Sequence, residues 1–213
     1  MMKPRITDDY KKTLAETLRK KISELDKRDL IRENVIRISR DLIRCSGKVV
    51  SSILANNIDE AKREMGSCSD LLEDLAKHYY EAPDLVRGIA TQAFTEYCEA
   101  LLLLKIFSGD TEECGDKIPP ESVVLGVLDL TGELRRVAIK LLGEWDLDTV
   151  KEIIDLIKNI YLILSPQDYS DAIAPGYRHK IDVLRRNIED LETLYSDIKT
   201  RRDLIESLRK ITL

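Results

Sequence analysis

From about Thr7 to Asn56 apolar residues recur at three- and four-residue steps: Leu14, Leu18, Ile22, Leu25, then Leu30, Val35, Ile38, Leu42, Val49 and Ile53. Such steps place them on one stripe of an α-helix, because 3.6 residues complete a turn. No proline interrupts the run and Gly47 is its only glycine. The pattern predicts one very long helix, or two with a break near residues 26–29. Asn56-Asn57 closes it, and Asp59 is placed to cap a second helix reaching about Tyr80.

Pro83 suits the first turn of a third helix, which the pattern of Phe94, Tyr97, Leu101 and Leu104 carries to about Phe107. A polar, Gly-containing loop covers residues 108–118. Pro119-Pro120-Glu121 opens a fourth helix ending near Gly143, and residues 146–164 form a fifth, stopped by Ser165-Pro166. Residues 165–176 hold two prolines and a glycine and read as irregular. A long final helix covers about residues 177–210. No useful strand-type alternation and no fixed repeat are visible. The expectation is a single all-α domain over residues 1–213, a bundle of six to seven helices with long N- and C-terminal members.

Composition supports few, long helices: 34% of residues are charged and 5% aromatic, with nine glycines and six prolines. The net charge of −5 excludes a globally basic nucleic-acid binder. Residues 1–48 nevertheless carry 14 Lys/Arg against 8 Asp/Glu, which leaves room for a local basic face or for a merely solvated one. The four cysteines lack CxxC spacing and lie away from the two histidines, so a zinc site is not expected. Three of the four lie in helical patterns beside apolar residues and read as small core thiols of a reducing compartment. The longest apolar stretch, residues 100–107, is short and broken by Lys105. No membrane span or signal peptide is read, and a soluble, cytoplasmic protein is expected.

Most of the 39 acids fall on polar faces. Two pairs do not. Glu96 and Glu99 interrupt the largely apolar run Phe94–Leu104, and Asp129 and Glu133 interrupt Val123–Leu134. Spacings of i, i+3 and i, i+4 keep each pair on one helix face. Two neighbouring helices would then present four carboxylates to one place, where a divalent cation such as Mg²⁺, or Mn²⁺ in its stead, offsets their repulsion. Gly126 and Gly132 fit the same scheme, giving close helix approach or room for a substrate backbone. From spacing alone, structural ion pairs, for instance Glu133 with Arg136, are the commoner explanation of such acids.

These segments resemble a known family. Val124-Leu125-Gly126-Val127-Leu128-Asp129-Leu130-Thr131-Gly132-Glu133-Leu134-Arg135-Arg136 is similar to the D-L-T-G-E-L-x-R signature of the TRAX branch of the translin/TRAX family. Glu96-Tyr97-Cys98-Glu99-Ala100 resembles that branch's E-Y-x-E-A segment. Ile38-Ser39-Arg40-Asp41 looks like its L-S-R-D stretch, and Gly143-Glu144-Trp145-Asp146 its G-N-G-D turn. The resemblance spans about residues 30–205. It implies a seven-helix, all-α subunit of a closed, hollow, usually octameric shell. It further implies that Glu96, Glu99, Asp129 and Glu133 are catalytic acids and metal ligands that cut single-stranded RNA. Animal members of the branch carry a long basic N-terminal extension and an insertion between the acidic helices. Neither is seen here, which fits a homo-oligomer.

Arg37, Arg40 and Arg44 share one helix face, a spacing suited to tracking phosphates, and Arg135 and Arg136 follow the acidic motif. All five are candidate RNA contacts, and each has an interface ion pair as its plain alternative. Gly47-Lys48 lacks the rest of a phosphate loop, and neither histidine has a neighbouring nucleophile. The expected activity is Mg²⁺-dependent endoribonucleolytic cleavage inside a homo-oligomeric shell. A translin-like oligomer that binds single-stranded RNA or DNA without cutting is the alternative.

Overall fold

The computed structural model describes residues 6–111 and 114–211. Residues 112–113 of the expected loop, and both extreme ends of the expected domain, lie outside the described residues. Among those described there are six helices and no strand. They are α1 (Asp8–Leu54), α2 (Ile58–Glu81), α3 (Pro83–Ser108), α4 (Pro120–Gly143), α5 (Leu147–Leu164) and α6 (Tyr177–Ile211).

The long first pattern is one helix of 47 residues, opened by the Thr7 hydroxyl, which accepts the Tyr10 N–H at 3.3 Å. No break occurs near residues 26–29, since that stretch holds only helix-tolerant side chains and no Gly or Pro. α2 begins one residue before Asp59, with Asn57 at its cap and no side-chain capping bond. α5 is capped as a helix start should be: Asp146 accepts the Thr149 N–H at 3.2 Å. The turn before it places Trp145 at φ 66°, left-handed backbone that L side chains avoid. The G-N-G-D pattern has glycine at this position.

Packing falls into two sets. α1, α2 and α3 pack on one another, as do α4, α5 and α6, and the α3–α4 contact joins the sets. Val35, Leu42, Val49 and Ile53 of α1, Phe94 and Leu103 of α3, Leu134 of α4, and Leu184 and Leu191 of α6 are buried. Each such side chain contributes about 1.5–3 kcal/mol by leaving water. The apolar stripe of α1 runs on beyond this core. Leu14, Leu18, Ile22 and Leu25 are 45–63% exposed, and the stripe first becomes buried at Val35.

The cysteine expectation needs correction. Cys45 of α1 and Cys68 of α2 form a disulfide with Cα atoms 5.7 Å apart, so they are not core thiols. The two helices lie side by side there, a proximity that 23 residues of separation conceal in the sequence. Cys98 is a buried thiol whose sulfur lies 4.0 Å from that of Cys114. No described helix is long and apolar enough to cross a membrane.

Candidate functional site on the α3–α4 seam

Gly126 fixes how closely α3 and α4 approach. A Cβ at this position would stand 2.8 Å from the Cys98 Cβ and 2.9 Å from the Thr95 carbonyl oxygen, closer than real Cβ atoms come. Only glycine permits this seam. A hydroxyl ties it further, Ser122 Oγ donating to the Thr91 carbonyl at 3.3 Å. Gly132, by contrast, faces open space.

Glu96 and Glu99 sit one α3 turn apart beside Thr95 and Cys98. Asp129 and Glu133 follow Gly126 on the same side of α4, at three- and four-residue steps. The seam therefore brings both acidic pairs together, as their spacing predicts. All four are half-buried; Glu133 keeps only 13% of its side chain exposed and Asp129 26%. Burial pushes the Glu99 carboxyl up to about 8, and the Asp129, Glu96 and Glu133 carboxylates push it the same way. The Lys180 ammonium acts in the opposite sense.

Each of the other three acids has its own partner. Asp129 accepts a hydrogen bond from Lys180 of α6. Glu133 pairs with Arg136 at 3.0 Å, and Glu96 accepts from the Gln92 amide at 2.5 Å. As these side chains stand, no three acids, cysteines or histidines among the described residues are grouped to hold a metal ion. The chemistry of the set still suits a hard divalent cation. The donors are all carboxylate oxygens, their mutual repulsion is what an ion relieves, and two of their partners, Gln92 and Arg136, are exposed and can swing away.

The basic candidates divide. Arg37, Arg40 and Arg44 are exposed along α1. Arg44 is bonded to Asp41 at 2.7 Å, while the Arg37 and Arg40 guanidinium groups join no ion pair among the described residues. Arg136 turns back to Glu133. Arg135 points to α6, lying 3.8 Å from Asp190, with its Nε buried and unbonded. The residue missed in the sequence is Lys180. It lies 51 positions from Asp129, and a lysine in a helix rich in charges carries no signal of its own.

A long all-α bundle whose central seam carries two acidic pairs defines a class, and the comparisons agree with it. The sequence profile of the translin family matches residues 30–202, and the chain belongs to that family. An uncharacterized protein of Methanocaldococcus jannaschii, MJ0175, is 27% identical over 191 residues, covering 86% of this chain and 85% of its own. Among solved structures, AfC3PO is 29% identical with a TM-score of 0.78, both in its crystal structure and in its complex with duplex RNA. The alignment to the complex covers 88% of this chain and 97% of that one. Apo-NeC3PO shares the fold at a TM-score of 0.75 and 16% identity, over 85% of this chain and 96% of its own.

Proposed function

We propose that this chain is a TRAX-like subunit of a homo-oligomeric shell, an octamer by family resemblance, that binds RNA and cuts single strands by metal-dependent phosphodiester hydrolysis. One observation carries the reading: the close seam at Gly126 gathers the half-buried carboxylates of Glu96, Glu99, Asp129 and Glu133 in one place, where burial first and the neighbouring acids second hold Glu99 far above its ordinary range. Stability alone gives no reason to gather like charges at a helix seam held tight by a glycine. Glu96, Glu99, Asp129 and Glu133 would hold Mg²⁺, with Mn²⁺ as substitute. When bound, the ion lowers the pKa of a water and polarises the phosphoryl oxygen. The chain's own part is to orient the phosphate against the acids and to take the proton of the attacking water on a carboxylate. Exposed Arg37 and Arg40 on α1, with Arg44, supply phosphate contacts that track a strand without reading its bases. Arg135 and Arg136 are nearer the acids and contact the strand only after leaving Asp190 and Glu133.

The duplex RNA held by AfC3PO supports RNA as the polymer. Single-strand preference is our inference from an enclosed chamber, which admits flexible strands more readily than rigid helices. The test is cleavage of end-labelled single-stranded RNA with Mg²⁺ and with a chelator, using wild type, Asp129→Ala and Glu133→Ala. Loss of cutting in the chelator and in both variants, with assembly retained, is expected. Equal cutting by the variants would refute the assignment.

A second reading is an RNA-binding shell without catalysis. It draws on the fact that Lys180 and Arg136 already neutralise two of the four acids. It predicts RNA retention in gels with no metal-dependent product.

A further inference from the structure

Lys180 enters the acid cluster from a third helix. It lies one turn into α6, and the start of that helix is pinned. Tyr177 is buried with its hydroxyl bonded to the Leu164 carbonyl at 2.7 Å, and the Gly176 N–H donates to Asp171 at 3.0 Å. Lys180 stands one helical step from Tyr177 on the same side, so its reach to Asp129 is built into the start of α6. Both side chains of the pair are largely shielded, 29% and 26% exposed. With Lys180 on Asp129 and Arg136 on Glu133, two cations face four carboxylates, leaving the cluster short of positive charge. Lys180 also acts on Glu99, against the neighbouring carboxylates.

The choice of lysine matters. Next to it, Arg178 grips Asp168 through two nitrogens, at 2.6 and 3.0 Å. An ammonium on a four-carbon stem makes a single-point contact and can leave it by rotating its stem. We propose that Lys180 is the resident counter-cation of the acid cluster: it holds Asp129 while no divalent ion is bound and yields Asp129 when one enters. Lys180 thereby sets the metal affinity of the site, as a positioning residue acting through Asp129. This rests on the metal-site reading above. A single charge can hold the acids together without a metal, yet a divalent ion outcompetes it, because two charges compensate four carboxylates better than one.

The test is Mn²⁺ titration, by calorimetry or by the loss of the free-ion resonance signal, on metal-stripped wild type, Lys180→Met, Lys180→Gln and Lys180→Arg. Removing the competing charge tightens Mn²⁺ binding on the order of tenfold in both neutral variants, a size usual for coupled sites. Lys180→Arg, which keeps the charge and can grip Asp129 through two nitrogens, shows no such tightening and binds Mn²⁺ more weakly than wild type. Melting in chelator checks folding, and the pair contributes little there, as partly exposed ion pairs do. A merely structural lysine would shift melting while leaving Mn²⁺ affinity alone. Wild type and both neutral variants binding Mn²⁺ equally would overturn the counter-cation role and leave the metal site standing. Wild type failing to bind Mn²⁺ at all would remove the metal site, and this inference with it.

Discussion

Gly126 and Cys98 meet across the α3–α4 seam with no room for a single added methyl group, the missing Cβ falling 2.8 Å from the Cys98 Cβ. The atoms it would strike are a Cβ and a backbone carbonyl, neither of which can swing aside as a flexible side-chain tip does. Gly126→Ala should therefore destabilise the fold by about 1–3 kcal/mol, outweighing the roughly 1 kcal/mol that alanine gains in a helix. Urea unfolding measures it. A stabilised variant would mean the seam has slack. Because the acids flank the glycine, RNA cleavage should fall along with stability.

The Glu99 carboxyl gives the metal-free protein a pH signature. Folded, it titrates near 8, against an ordinary 4.5. Between these values the folded chain holds a proton that the unfolded chain has lost. Its contribution to stability is thus fullest below about 4.5, declines as pH rises, and is exhausted above about 8. The loss is on the order of a few kcal/mol at most. Unfolding in chelator from pH 5 to 9 should show the decline in wild type and a shallower one in Glu99→Gln. Saturating Mg²⁺ should flatten the wild-type profile, since the bound ion favours the ionised carboxyl.

The Cys45–Cys68 bridge closes a loop spanning 23 positions, and cross-linking it removes freedom from the unfolded chain. Reduction should cost about 3 kcal/mol. Melting with and without reductant is the measurement. Cys45→Ala should melt where reduced wild type does and ignore the reductant.

The α1 arginines predict a salt signature. Arg37→Ala and Arg40→Ala should each weaken RNA binding and each lower the slope of log affinity against log salt by about one, whatever the sequence of the strand. Fluorescence anisotropy across a salt series reads this. Arg44→Ala should do less, because Asp41 already occupies that guanidinium. An unchanged slope would move the RNA path off α1.

Much of this molecule is legible in its sequence wherever the information is local. Pro83, Asp146 and Ser165-Pro166 mark helix ends because caps and ring constraints act over a few residues. The acidic pairs betray themselves by interrupting apolar runs, and Gly126 by weakening a helix without local reward. What stayed hidden depends on which helices become neighbours. Nothing near Cys45 points to Cys68. The adjacent residues Arg135 and Arg136 look alike in sequence, yet the helix turn between them sends one to Asp190 and the other to Glu133. Lys180 is the extreme case. Its meaning comes from a helix whose own charges alternate so evenly that no position stands out.

The short spacing from Tyr177 to Lys180 sets the phase of the acid contact. A residue inserted between them, inside α6, would turn the lysine by about 100° relative to the buried tyrosine. Lys180 would then be swung away from Asp129 while Tyr177 kept its seat against the Leu164 carbonyl. Relatives that keep this lysine contact should therefore keep its distance from the tyrosine, whereas the connector over residues 165–176 is free to vary in length.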